Sequence, residues 1–136
     1  FFKLQVVAPD HEVFHEEVSG LTAPGAGGEF GVLARHEPLL SSLKPGAFTV
    51  DQGATRTVYF VSGGFIEVTP TAVTVLAEEF EPARDIDGEQ EERARKKAQE
   101  KIARTKDPVE RDANRAILAR AQARLAAVQK AQAPSR

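Results

Sequence analysis

The sequence predicts an α+β protein in which an N-terminal antiparallel β-sandwich, residues 1–80, is followed by a C-terminal antiparallel two-helix hairpin, residues 81–136. Three observations lead there. Up to Glu79, short apolar runs recur between glycine and proline turn signals, as in a sandwich or barrel. Charge and glycine usage then change together: only four of the eighteen lysines and arginines precede Glu79, and Gly88 is the only glycine after Gly64. Beyond that point the chain shows helix-start chemistry at Asp87 and at Asp107-Pro108-Val109-Glu110, with apolar residues at helical spacing. The compositional boundary lies near Phe80-Glu81-Pro82.

Taken in order, Phe2, Leu4 and Val6 alternate with Lys3 and Gln5 and define a first strand, after which Pro9-Asp10 turns the chain. Residues 11–15 read HEVFH and match the H-E-x-x-H pattern of zinc peptidases. That chemistry needs a helix, on which two histidines four apart lie about 6 Å apart along the axis and share one metal while the glutamate activates water. In a strand His11 and His15 would stand about 13 Å apart by rise alone. The flanks hold no run suited to an active-site helix, and His36 is the only other histidine, so the zinc reading is rejected.

Further strand runs fall at 18–23, 31–34, 38–43, 47–51, 56–61, 65–69 and 72–77. Val58 and Phe60, like Val73 and Val75, keep a period of two, the mark of a strand with one face in a core. Gln52-Gly53, Gly63-Gly64 and Pro70 are read as hairpin turns. Gly25-Ala26-Gly27-Gly28 lacks a following Lys-Ser or Lys-Thr and is read as turn geometry, not as a phosphate loop.

In the second part Asp87 is placed to cap a helix over 88–104. Asp107 would cap another, with Pro108 at its first position and Glu110 able to reach back. The tight link at Lys106-Asp107 makes the two helices antiparallel neighbours. Ala94, Ala98 and Ile102 form the apolar stripe of the first helix, and Ile117, Ala121, Leu125 and Val128 that of the second. Alanine lets axes approach but buries little area, at roughly 25 cal/mol per Å². The hairpin is therefore expected to be marginal and to lean on the sandwich or on a partner. Arg111 and Arg115, then Arg120 and Arg124, are spaced four apart and read as an outer basic face, either solvated or a dock for an acidic protein surface.

Composition excludes several classes of function. The chain has 136 residues and no cysteine, so it has no disulfide, thiolate metal site or cysteine nucleophile. No apolar run approaches about 18 residues, the length a membrane-spanning helix needs. With a net charge of −2 and no aromatic residue after Phe80, nucleic acid is not an expected partner. Phe1-Phe2-Lys3 is strand-like and lacks methionine, so a few starting residues are expected to precede it or to have been removed, and no signal-peptide pattern is visible.

Residues 28–46, GEFGVLARHEPLLSSLKPG, resemble the run G-E-x-G-[IV]-L-x-x-H-x-P-L-[LM]-[ST]-x-[LI]-x-P-G of the bacterial F-type ATP synthase epsilon subunit. Residues 61–68, VSGGFIEV, and 73–77, VTVLA, are similar to later strands of that family, whose order of sandwich then hairpin covers nearly the whole chain.

The resemblance implies a rotor part and no catalytic or cofactor role. Its sandwich would bind the gamma subunit and the loops of the membrane-embedded c-ring, turning proton-driven rotation into torque on the catalytic head. A fragment ending near Glu79 would still fold and bind gamma. The loop expected to carry Glu29, Gly31, His36 and Pro38 is similar to the family surface that meets these partners, the alternative being that Gly31 and Pro38 shape turns and His36 closes a strand end. Some family members bind ATP through [IL]-D-x-x-R-A. Here Ile86 and Asp87 fit, but Gln90 and Glu91 stand where the arginine and alanine would be, which argues against ATP because a planar guanidinium fork is lost. Arg111, Arg115, Arg120 and Arg124 would meet the alpha/beta head if the hairpin extends and inhibits ATP hydrolysis.

The implied location is peripheral on the cytoplasmic side of the bacterial inner membrane. The matrix side of the mitochondrial inner membrane is the alternative, because the mitochondrial delta subunit shares much of the long motif. Outside the family, the remaining reading is a stand-alone regulatory module whose basic hairpin docks on an acidic partner.

Overall fold

The structure, a computed structural model, describes residues 1–133; the last three residues of the expected 81–136 span lie outside them. Ten strands come first: β1 (Phe2–Ala8), β2 (His11–Val18), β3 (Gly20–Gly25), β4 (Gly28–Leu33), β5 (Leu39–Leu43), β6 (Gly46–Gln52), β7 (Thr55–Val61), β8 (Gly64–Val68), β9 (Ala72–Leu76) and β10 (Phe80–Pro82). A 3-10 turn (Ala83–Asp85) leads into α1 (Gly88–Arg104) and α2 (Pro108–Gln132).

The strands run in the order β10-β7-β6-β3-β5-β8-β9-β1-β2, with β4 on the remaining side of β3. The two ends of this order meet through aromatic rings: Phe14 of β2 lies edge-on to Tyr59 of β7 at 6.0 Å and to Phe80 of β10 at 6.4 Å. The expected sandwich is therefore present. Its pairs are antiparallel except β1 with β9, where Leu4 faces Val73 and Val6 faces Val75 in parallel register. Parallel neighbours need a long crossover, which the intervening strands supply. Inside lie Leu4, Val6, Val18, Val32, Phe48, Val50, Ile66, Val68, Val73 and Val75, each at most 1% exposed.

Three segments depart from the sequence reading. Residues 11–18 form a strand, with Val6 opposite Phe14 and a bulge after Val6. Only Gln52-Gly53 and Pro70 of the three expected turns join paired strands. Gly63-Gly64 instead carries the chain between strands that do not pair, β7 and β8. At Gly64, φ is +139° and a Cβ would sit 1.9 Å from the Leu76 carbonyl oxygen, so this crossing requires glycine. The last strand, β10, extends the sheet to Pro82, pairing Phe80 with Val61 and Pro82 with Tyr59.

Both helices start on their caps. Asp87 Oδ1 accepts from the amides of Glu89 and Gln90 at 3.0 and 3.2 Å, and Asp107 Oδ1 from that of Val109 at 3.0 Å, with Pro108 at the first position. At the link, Arg111 Nη2 donates to the Thr105 carbonyl at 2.9 Å. The helix seam is thin. Ala98, Ala121 and Asn114 are buried in it, whereas Ile117 is 51% exposed beside a notch of about 200 Å³ lined by Ala94, Ala98 and Asn114.

Candidate functional site

Two surfaces carry chemistry: the seat of the hairpin on the sandwich, and the outer faces of β4, β5, β8 and β9. The seat starts from β7. Residues 58–61 are apolar without a break because this strand is buried on both sides, Tyr59 and Val61 toward the core, Val58 and Phe60 toward the hairpin. Val58 and Phe60 do turn one face into a core, as their period of two predicts, and that core is the one under the hairpin: Ala123 and Ala127 of α2 cover them, with Ala83 and Ile86 closing the rim and Ala47 and Val128 at its edge.

Charges ring this floor, and three pairs set a cation of α2 against an anion of the sandwich. Arg120 grips Glu79 through two hydrogen bonds of 2.9 and 2.6 Å, and Arg124 Nη1 donates to Glu81 at 2.6 Å. Lys130 Nζ reaches Glu29 Oε2 at 3.0 Å. Both guanidinium groups lie over the Phe60 ring, 5.9 and 5.1 Å from its centre. The bond from Arg120 holds the Glu79 carboxyl below the ordinary glutamate range, against the upward push of partial burial.

Arg124 is also 2.9 Å from Glu91 Oε2 through Nε, both side chains being 10% exposed. The N–H is not aimed at that oxygen, so this contact is an ion pair without a hydrogen bond. Glu91, at the alanine position of the nucleotide motif, thus neutralises the arginine from α1. Ile86 is buried in the seat, Asp87 is spent on capping, and Gln90 is exposed on α1. None of these side chains forms a phosphate fork.

The expected outer basic face is therefore corrected. At about 100° per residue, the nine residues from Arg111 to Arg120 turn the helix through two and a half turns, onto its opposite side. Arg120 and Arg124 face the sandwich, Arg111 folds onto the link, and Arg115 alone of the four points outward, 63% exposed and 3.9 Å from Asp112.

The expected contact residues on β4 do not share one loop. Glu29 and Gly31 alternate with inward-facing Phe30 and Val32 and continue to Leu33, 70% exposed, as one outer strip of the strand. Gly31 lies in the strand, opposite Thr22, not in a turn. A Cβ there would make only ordinary contact, 3.7 Å from the Leu21 carbonyl oxygen, so no packing demand requires this glycine. Beyond the strip Arg35 takes a left-handed φ of 63° and its amide bonds to the Pro70 carbonyl, tying the loop to the β8–β9 turn. His36 Nδ1 lies 2.7 Å from the Glu37 carbonyl oxygen, and Pro38 precedes β5 exposed.

Reading the sequence did not find the second outer surface. Phe65 and Leu76 stand directly opposite each other on β8 and β9, 57% and 53% exposed, and Leu40 on β5 is 74% exposed. An open cleft of about 740 Å³ runs beside them between Val7, Leu43, Pro45 and Gly63. The signal was available: Phe65 and Leu76 are large apolar residues at out-facing positions of strands whose other face, Ile66 and Val75, fills the core. His11 and His15 lie along β2, 63% and 51% exposed, each beside a local carboxylate, Asp10 and Glu12. A strand holds them about 13 Å apart by rise, too far to share a metal.

A closed β shell with a seated hairpin and an uncovered apolar face has the build of a binding module. Residues 1–83 match the model of the ATP synthase delta/epsilon chain beta-sandwich domain. The ATP synthase epsilon chain of Syntrophobacter fumaroxidans is 42% identical over 128 residues, 94% of this chain and 96% of that one. That of Nitratidesulfovibrio vulgaris is 43% identical over 122 residues, 90% and 91% of the two chains. Among solved structures, a chain of the Euglena gracilis mitochondrial ATP synthase, determined with OSCP, F1 and c-ring, superposes with a TM-score of 0.82 at 29% identity, covering 89% of this chain and 77% of that one. A chain of the Tetrahymena thermophila mitochondrial ATP synthase central stalk and c-ring shares the fold, with a TM-score of 0.64 at 13% identity over 93% and 96% of the two chains. The chain belongs to the ATP synthase delta/epsilon chain family.

Proposed function

We propose that this chain is a rotor and coupling part of the central stalk of a proton-translocating F-type ATP synthase. Its sandwich holds gamma and rests on the c-ring loops, and its hairpin restrains ATP hydrolysis when it leaves the seat. The observation that carries this reading is the uncovered apolar face of Leu40, Phe65 and Leu76, which stands free while the hairpin occupies a different side of the sandwich. A pair of opposed apolar side chains beside a cleft suits a permanent partner. The strip of Glu29, Gly31 and Leu33, continued by His36 and Pro38, offers a flatter polar contact for ring loops.

Among the described residues no helix is long and apolar enough to cross a membrane, so attachment would run through these partners. The bacterial relatives favour the cytoplasmic side of the bacterial inner membrane. Arg120 and Arg124 become available to an acidic surface of the catalytic head only once the hairpin is unseated, because they are spent on Glu79 and Glu81 in the seated form, whereas Arg115 is already exposed in it and Arg111 stays on the link.

The test is co-purification with gamma. The full chain and a chain cut after Asp87 should both be retained, while Phe65→Asp with Leu76→Asp should abolish retention without unfolding the sandwich. Retention of the double aspartate variant would refute the assignment of that face. Removing residues 88–136 from the assembled enzyme should raise ATP hydrolysis, and an unchanged rate would end the inhibitory role.

A further inference from the structure

We propose that Glu29 is shared between the hairpin and the partner lying along β4, so that seating of the last turn of α2 and capture of Glu29 by that partner oppose one another. This rests on the reading above that the strip of β4 meets a partner, and adds the coupling of that contact to the hairpin. Glu29 and Lys130 are 101 residues apart in sequence, yet their side chains meet at 3.0 Å. They join the two regions from which contact and regulation are separately expected.

The pair is open to competition. The Glu29 side chain is 58% exposed and that of Lys130 36% exposed. Gly31, the next residue on the same face, has no side chain to screen the carboxylate. Among the described residues Lys130 pairs with no second acid, and Glu29 with no second base. The other seat cations, Arg120 and Arg124, already hold Glu79 and Glu81. A cationic or amide-donating group laid along β4 would take hydrogen-bonding capacity and negative charge from Lys130. The lysine ammonium would then face only the carbonyl end of its own helix.

Coupling of this kind is reciprocal: the factor by which the partner loosens the last turn is the factor by which the seated hairpin weakens the partner. An exposed ion pair sets its size at about two- to fivefold. That is a bias on the hairpin, applied from the ring side, and not an all-or-none switch.

The experiment uses the full chain carrying Glu29→Gln, Lys130→Gln, or both. In the free protein, amide exchange over residues 125–130 should quicken about two- to fivefold in each single variant and no further in the double, with β4 unchanged. Against a purified complex of gamma with the c-ring, Glu29→Gln should bind more weakly and Lys130→Gln more tightly by a similar factor. Unchanged exchange, or additive effects in the double variant, overturns the pairing. Coupled exchange with Lys130→Gln binding as the unaltered chain does overturns the sharing while leaving the ion pair intact. Glu29→Gln binding as the unaltered chain does shows instead that the β4 strip is not the contact, and the sharing falls with it.

Discussion

Thr49 and Glu79 act in opposite directions on the seat of the hairpin. Thr49 is 2% exposed on β6, and its hydroxyl has no hydrogen-bond partner. Its strand neighbours Phe48 and Val50 point into the core, so Thr49 points, like Ala47, toward α2. Seating the hairpin therefore strips water from a hydroxyl and returns nothing, at a cost of about 1–3 kcal/mol. Thr49→Val, nearly equal in shape, should slow amide exchange throughout α2 by about tenfold, equivalent to about 1.4 kcal/mol, while leaving strand amides unchanged. Glu79 acts in the other direction. Its carboxyl is held below the ordinary range chiefly by the Arg120 hydrogen bond, so it contributes stability above the unfolded pKa and loses it as pH falls through the lowered folded value. Helix protection should thus be flat near neutrality and fall only in acid, below the ordinary glutamate range. Glu79→Gln should remove that component of the acid dependence, at a neutral-pH cost below about 1 kcal/mol because the pair is partly exposed. A pH series of amide exchange on both proteins reads the difference.

Among the elements, β10 changes where the sandwich can be cut. A fragment ending near Glu79 was expected to fold, but Phe80 stacks on Tyr59 at 4.5 Å and meets Phe48 edge-on at 5.3 Å, so it holds β7 against β6 from inside. A chain ending at Glu79 should lose about 3–5 kcal/mol, the usual cost of deleting a buried phenylalanine, whereas one ending at Asp87 keeps the strand and its ring contacts. Urea unfolding followed by circular dichroism distinguishes the two. The charge shift that marks the boundary in sequence reports solvent-facing composition, and a three-residue strand with one apolar residue does not register in it. The helices were legible almost to the residue because their caps are local chemistry: Asp87 and Asp107 satisfy amides two or three residues on. The seat was not, because the partner of each arginine lies about forty residues upstream, where no periodicity points. Its one local sign was the unbroken apolar run at 58–61, which a search for alternation reads as a single face. On α2 itself, Ala123 and Ala127 are too small to mark a stripe, yet their size is what brings the helix close to Phe60.

At the scale of the whole molecule, the apolar interior of the described residues is split in two, which is what the proposed release of the hairpin requires. One cluster fills the sandwich. The other, around Phe60, Ala83, Ile86, Ala123 and Ala127, lies between the outer faces of β6 and β7 and the hairpin. The ion pairs of α2 with the sandwich begin at Arg120, twelve residues or about 18 Å along the helix, and α1 packs on α2. Losing the seat therefore costs the sandwich only the cover over the outer faces of β6 and β7, and its own core stays packed. The order of events on heating follows. Helical signal should decay before the tertiary signal of the Phe48, Tyr59 and Phe80 rings, giving two non-coincident transitions. Salt should separate them further. Among the described residues every ion pair between helix and sandwich sets a cation on α2 against an anion below it, and such pairs weaken as the screening length falls from about 10 Å at 0.1 M to about 3 Å at 1 M. Sodium chloride at 1 M should lower the helical midpoint by several degrees and leave the sandwich midpoint in place. A single coincident transition, unmoved by salt, would mean that hairpin and sandwich form one cooperative unit, which is incompatible with the proposed release of the hairpin from a body that keeps its own packing.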